Sequence, residues 1–491
     1  MRKSNKPKNN PSDSLLQRVR STRGWPMAML VVVILAGLHA FRIDLSADPV
    51  VSWLVGDRIL GNALIVILLV GLWIGYLQLR EPHLMENARM RLFLLAIVVA
   101  VAVLGKSVDL LAPYLVRPDQ AAYLVPVAMG AGLATIFVGA EVGLTLAILL
   151  AFWAGLGDSI NAVAVLAAFG SGTAAVFRCA HLRRLSDLPL AGLEIGLFGM
   201  LLHGGAGLVV QGVESFNPLM MVWSGLNGII SVLVMFGALP LAEIITQRTN
   251  PLGLVELLNP TSPLLLMLRE QAAGTYHHSI MVADLAESAA RAVGADPLLT
   301  KVGGYYHDIG KMKRPQFFIE NQPDGVNPHN EISPSMSKMI LTSHIKEGIE
   351  LAHEYGLRED ITQFISQHHG TSVIRFFYQK ALKEGKATEQ SMSDYRYDSE
   401  LPKTKETAIV MLADVVEAAS HSLQDPAQLK ETVRRAIRTP LEDDQLIESP
   451  LTLRDLEQIE RGFFATLRAM RHDRSGSYPA QPENKKTNWK F

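Results

Sequence analysis

Eight apolar runs fill the first half of this chain and leave it few ways to fold. They lie at about Trp25–Phe41, Ile59–Leu79, Leu92–Leu111, Ala121–Gly139, Val142–Leu156, Ile160–Phe177, Pro189–Val210 and Leu219–Ile245. The hydrocarbon core of a bilayer has no water for backbone N–H and C=O groups, so runs of this kind cross it as helices, which bond those groups internally. Val142–Leu156 is the shortest of them. The first run is not followed by a small-residue cleavage site, so it reads as an anchor and not as a signal peptide. An even number of spans puts both ends of the bundle on one side.

The cations choose that side. Segments on the inner side of this reading carry Arg80, Arg89, Arg91, Arg178, Arg183, Arg184 and Arg248, together with a tail that has seven Lys/Arg against one Asp in residues 1–23. Outer segments carry Arg42, Arg58 and Arg117. This positive-inside bias makes the tail and everything after Ile245 cytoplasmic. Small residues such as Gly130-Ala131-Gly132 and Gly204-Gly205-Ala206-Gly207 suit close helix packing in lipid. Glu141 and Glu243 sit near span ends, where interfacial exposure explains them. Glu194 and His203 are placed to face the bundle interior.

The chain has 491 residues and a net charge of −1, so no basic field points to a nucleic-acid polymer. Its mean hydropathy of +0.20 suits a chain that is part membrane and part soluble. One cysteine, Cys179, excludes an internal disulfide and reads as an inert thiol. The boundaries are a basic tail at 1–24, a transmembrane domain at 25–245, a turn-rich linker at 246–262, an all-helical domain at 263–479 and a disordered tail at 480–491. The fold class is all-α, because the second half has helical and not alternating periodicity.

In that second half, polar groups that are costly to bury recur at helix ends and on apolar faces. Ten of the fourteen histidines fall from His277 onward. Asp296 and Pro297 read as the cap and first residue of a helix that ends in His307-Asp308, with Gly310 stopping it. Thr275 reads as the cap of a helix to Gly294 on which His278, Val282, Leu285 and Ala289 share a face. His344 precedes the stripe Ile345, Ile349, Ala352. His368 ends the stripe Ile361, Phe364, Ile365, and His369 follows. Asp414 directly follows the apolar run 408–413, where a carboxylate needs a cation: a metal, or Arg434 or Arg435 in an ion pair. His277 and His353 face elsewhere, and His329 reads as a loop residue. Imidazole and carboxylate donors in this number point to a dinuclear metal site.

The segment GTYHHSIMVADLAESAARAVGADPLLTKVGGYYHDIGKMKRPQFFIENQ, with QHHGTSVIRFFYQKAL and KETAIVMLADVVEAAS, resembles the HD-superfamily phosphohydrolases. More narrowly it resembles the membrane-bound seven-transmembrane HD proteins that hydrolyse cyclic di-AMP. Only Arg42–Arg58 occupies the position of that family's large extracytoplasmic domain, so the chain reads as a variant lacking it. The resemblance implies one metal on His278, His307, Asp308 and Asp414 and a second on Asp308, His344, His368 and His369; the nitrogen and oxygen donors, with no cysteine among them, suit manganese or iron. It implies a phosphodiesterase that linearises cyclic di-AMP to pApA. Lys311, four residues past His307, reads as a cation for the phosphate or for a helix end, and Arg375, Phe376, Phe377 and Tyr378 read as a clamp on a base or as core. The expected partners are a cyclic dinucleotide and the lipid bilayer; a homodimer stays open. Gly370-Thr371-Ser372 after His369 lacks the GYP motif of cyclic-di-GMP hydrolases. Hydrolysis of another cyclic nucleotide, a non-catalytic nucleotide receptor and a transporter are the alternatives.

Overall fold

The computed structural model describes residues 30, 31, 35 and 56–470, apart from 116–117, 157–160, 323–326, 422 and 424–425. Most of the expected first span, both expected tails, most of the Arg42–Arg58 loop and Arg117 therefore lie outside the described residues. The chain divides into two compact units, 1–252 and 253–491. Both are all-α among the described residues, with one isolated bridge between Val373 and Arg396.

In the first unit, α1 (Gly56–Arg80), α2 (Pro82–Glu86), α3 (Ala88–Leu115), α4 (Val127–Phe137), α5 (Ala140–Gly155), α6 (Ala162–Cys179), α7 (Asp187–Ser215) and α8 (Leu219–Thr246) follow the apolar runs. Five of these helices are long and apolar enough to cross a membrane, and the stretches Ala121–Phe137 and Ala140–Gly155 are shorter apolar helices. The chain is a membrane protein, and the two shorter helices correspond to the expected spans Ala121–Gly139 and Val142–Leu156. Phe93, Leu94, Leu146, Leu150 and Met235 are fully buried among the helices. Helices α7 and α8 approach so closely at Gly196 and Gly228 that a Cβ on Gly228 would collide with the Gly196 backbone.

Polar groups inside this unit are used locally. The chain breaks from a 3-10 turn, Pro118–Leu124, into α4 at Pro126, which frees carbonyls inside an apolar environment. The Asn227 side chain donates to two of them, Tyr123 at 3.0 Å and Val125 at 2.9 Å. His203 is buried, with Nδ1 2.8 Å from Ser224 Oγ and its ring against Tyr123. Glu194 pairs with Arg178 at 3.2 Å. Glu141 is largely exposed beside Tyr76 and Arg80, and Glu243 accepts from Asn250.

The second unit holds α9 (Pro251–Leu257), which opens at the unit boundary, α10 (Pro263–Gln271), α11 (Ala273–Val293), α12 (Pro297–Tyr306), α13 (Pro334–Glu354), α14 (Glu359–Gln367), α15 (Arg375–Lys383), α16 (Lys405–His421), α17 (Leu429–Glu442) and α18 (Leu453–Met470). One core gathers α11, α16, α17 and α18 around Leu285, Leu412, Ile459 and Phe463. Another gathers α10, α12, α13 and α14 around Leu265, Tyr306, Leu351 and Ile361.

Three local expectations change. The linker is partly helical: Asn250 Oδ1 accepts from Leu252 N, Pro251 starts α9, and Leu254 is 4% exposed in a core of the second unit. Asn-Pro, read as a turn, is here a helix start, because Leu254, Leu257 and Leu258 recur at helical spacing. Thr275 is not a cap, since α11 begins two residues earlier; its hydroxyl donates to Glu320 and accepts from Asn321. Gly310 does not stop α12, which ends at Tyr306 and gives way to a 3-10 turn, Ile309–Lys313. Its lack of a side chain serves a close approach: a Cβ there would collide with the His344 carbonyl and the Gly348 amide. The other punctuation matches: Asp296 accepts from Leu298 and Leu299 N–H groups, and Gly294 leaves α11 with a φ of 68°.

Candidate metal centre

Five stretches of chain bring the expected residues together. His278 projects from the second turn of α11, His307 and Asp308 from the end of α12, and His344 from the middle of α13. His368 caps α14 with His369 beyond it, and Asp414 lies in the third turn of α16. Ending α12 at Tyr306 lets the adjacent His307 and Asp308 both turn inward, where a continuing helix would set them about 100° apart. Both are buried, at 0% and 1% exposure.

Asp308 is the joint of the cluster. Its Oδ2 lies 3.2 Å from His307 Nε2 and 3.6 Å from His278 Nε2. Its Oδ1 lies 3.5 Å from both His344 Nε2 and His368 Nε2. Asp308, His344, His368 and His369 form one group whose donor atoms all lie within 4.8 Å of one another, and His278, His307 and Asp308 form a second. Asp414 joins the second group through His278 Nε2 at 3.1 Å and faces His369 Nδ1 at 3.8 Å. The alternative ion pair for Asp414 is overturned for Arg434, which instead pairs with Glu460 and Glu431.

The protonation pattern of these groups fits divalent cations. His307 Nδ1 faces the Gly304 carbonyl at 2.8 Å, His344 Nδ1 that of Leu341 at 2.5 Å, and His368 Nδ1 those of Phe364 and Ile365 at 3.0 and 2.9 Å. A carbonyl only accepts, so each Nδ1 carries the proton and each Nε2 of a neutral ring presents a lone pair. His344 Nε2 and His368 Nε2 then face each other at 3.3 Å, two lone pairs that repel unless a cation sits by them. His307 Nε2 and Asp308 Oδ1 are buried with no hydrogen-bond partner. Buried polar atoms are seldom left so, and two converging here fit a place for ions.

Electrostatics agree. Burial pushes the His344 imidazole down to about 3 and the His369 imidazole well below its ordinary value. Burial alone would raise the Asp308 and Asp414 carboxyls; Lys311 and His307 hold the first, and His278 the second, well below the carboxylate range. Neutral imidazoles and ionised carboxylates are the states that bind metal. His278 is the exception: burial opposes its charge, but hydrogen bonds with Asp414 and Glu417 outweigh that and raise it to about 10.

Lys311 Nζ lies 2.6 Å from Asp308 Oδ2 and 3.0 Å from Glu320 Oε1, above the Phe318 ring. Arg375 and Tyr378 lie on α15, outside the two donor groups. Arg375 is exposed at its start, and Tyr378 packs by Tyr395 and donates to the Glu389 carbonyl. His329 is a buried turn residue bonded to the Phe317 carbonyl. Three neighbours of the cluster escaped the sequence reading. Glu320 holds Lys311, Tyr397 stacks on His369 with centroids 4.2 Å apart, and Glu417 accepts from His278 Nδ1 at 2.8 Å. Only Glu417 had a signal, a second acid three residues after Asp414 on one apolar helix.

Because His278 is raised to about 10, a cation entering at neutral pH displaces a proton that an isolated imidazole of pKa 6.5 would already have lost. Metal affinity therefore climbs with pH from about 6.5 to 10. Calorimetry at pH 7.5 in two buffers of unlike ionisation enthalpy should show release of about one proton per protein on filling the site. Identical heats in both buffers would contradict it.

The HD domain family matches residues 275–419, and the family described as 7TM receptor with intracellular HD hydrolase matches residues 58–248. The cyclic-di-AMP phosphodiesterase PgpH of Bacillus subtilis (strain 168) is 36% identical over 365 residues, 72% of this chain and 51% of that protein. PgpH of Listeria monocytogenes serotype 1/2a (strain 10403S) is 36% identical over 313 residues, 62% of this chain and 43% of that protein. The crystal structure of the L. monocytogenes PgpH HD domain in complex with cyclic-di-AMP is 41% identical. It covers 43% of this chain and 99% of that chain, with a TM-score of 0.42. The chain spans about half the length of the curated relatives it matches. It belongs to the family of 7TM receptors with an intracellular HD hydrolase domain.

Proposed function

We propose that this chain is a membrane-anchored phosphodiesterase that hydrolyses cyclic di-AMP to linear pApA and so controls the level of a second messenger. The observation that carries the reading is the pair of His/Asp donor groups joined at Asp308. The relatives named as cyclic-di-AMP phosphodiesterases support the choice of substrate.

His278, His307, Asp308 and Asp414 would hold one divalent ion, and Asp308, His344, His368 and His369 the other. A nitrogen and oxygen donor set without thiolate suits manganese or iron. Such a pair of ions, when bound, acidifies water and draws charge from phosphoryl oxygens. The chain's own residues do the rest. His307, His344 and His368, with Nδ1 protons on backbone carbonyls, keep their Nε2 lone pairs aimed inward. Lys311 stays charged, because Asp308 and Glu320 outweigh its burial and raise its pKa. Its ammonium has three N–H bonds and two acceptors here, which leaves one for a phosphoryl oxygen. Tyr397, stacked on His369, shields that edge of the cluster from water. Hydrolysis adds water across one P–O3′ bond, OH to phosphorus and H to the departing 3′ oxygen.

Asp308→Ala should lose both ions and at least about a thousandfold in turnover together, because one carboxylate serves both groups. Metal analysis and a cyclic di-AMP assay on the full-length protein in detergent make the test. A variant with two ions and near-normal turnover would refute the reading, as would a metal-loaded wild type inert on cyclic di-AMP.

The arginine bias supports a cytoplasmic second unit. A cysteine introduced at exposed His353 should resist an impermeant thiol reagent in intact cells and react after lysis. Labelling before lysis would reverse the orientation.

A further inference from the structure

We propose that Glu417 is a positioning residue that makes the His278 side of the centre the tighter of its two ion sites; this rests on the dinuclear reading above. Four imidazoles of the cluster have a defined Nδ1 partner, and the partners differ. His307, His344 and His368 face neutral backbone carbonyls. His278 faces the Glu417 carboxylate at 2.8 Å. Glu417 is 1% exposed, and its other oxygen lies 2.7 Å from His421 Nε2, on a side chain that is 65% exposed. An ordered chain, His421 to Glu417 to His278, thus runs from solvent to one donor group and has no counterpart at the other three imidazoles.

A carboxylate behind an imidazole fixes its ring plane and tautomer and strengthens the nitrogen on the far side as a donor. Glu417 lies one helical turn after Asp414, so one stretch of α16 supplies both a direct donor and the support of another. Charge points the same way. The His278 group combines Asp308 and Asp414 with Glu417 behind them, while the His344 group has Asp308 alone among three imidazoles. A divalent cation gains more from the first set, and the buried Glu417 charge is better compensated when that site is filled.

The test uses full-length protein in detergent, stripped of metal and titrated with Mn²⁺ by calorimetry, with electron paramagnetic resonance at one and two equivalents. Wild type should bind two ions in unequal steps, and the two-equivalent spectrum should show spin coupling. Glu417→Gln should weaken the tighter step by about 10- to 100-fold and leave the weaker one unchanged. It should then lose spin coupling at sub-saturating Mn²⁺ where wild type keeps it. Unchanged steps in Glu417→Gln would overturn the proposal and leave the dinuclear reading standing. Fewer than two ions on wild type would instead refute that reading. If metal-free Glu417→Gln has lost its helical circular dichroism, His421→Ala takes its place: a tighter step weakened several-fold supports the chain, and an unchanged one overturns it.

Discussion

A single carboxylate that water does not reach governs the second unit. Asp308 is 1% exposed, and an ion so placed costs several kcal/mol unless its surroundings compensate it. Lys311 and the imidazoles provide part of that compensation, and the geometry nearby follows from the need. Helix α12 stops at Tyr306 so that His307 and Asp308 turn the same way. The 3-10 turn after it carries Lys311 back to 2.6 Å from the carboxylate. Gly310 lets that turn lie against the His344 carbonyl, which brings α13, and with it His344, within reach. Three imidazoles with their Nδ1 protons fixed on backbone carbonyls, and His278 beside them, then surround one anion, an arrangement that divalent cations among them would stabilise.

The sequence carried the ends of these helices where one residue decides them. Asp296-Pro297 and Gly294 act through their own backbone neighbours, so reading them needs nothing distant. Thr275 and Gly310 misled because tertiary contacts claimed them: Glu320 and Asn321 take the threonine, and the His344 backbone requires the glycine. Asn250-Pro251 looked like a turn because its meaning depends on Leu254 finding a core. The donor residues of the cluster were legible as buried-type polar residues on apolar stripes. Their supporting partners were not, since Glu320 and Tyr397 lie on irregular chain with no period to reveal them. Arg375 and Tyr378 entered as residue types that can clamp a base, and no spacing tied them to the cluster.

In the membrane unit the balance is different. Apolar run length is a one-dimensional property, so the apolar helices could be read directly. How the helices meet could not. Asn227 bonds carbonyls more than a hundred residues away in the chain, and Gly196 fits Gly228 through the absence of a side chain on either. His203 had been singled out as an ionisable group inside a span. It has its place in this packing, with Ser224 and Tyr123 as neighbours.

The central claim is that Asp308 divides one cluster into two ion sites. Anomalous diffraction from crystals of the manganese-loaded protein, recorded on both sides of the manganese absorption edge, tests it most directly. The account predicts two peaks flanking the Asp308 carboxylate, one among His278, His307 and Asp414 and the other among His344, His368 and His369. A single peak, or two peaks that do not share Asp308, would contradict it.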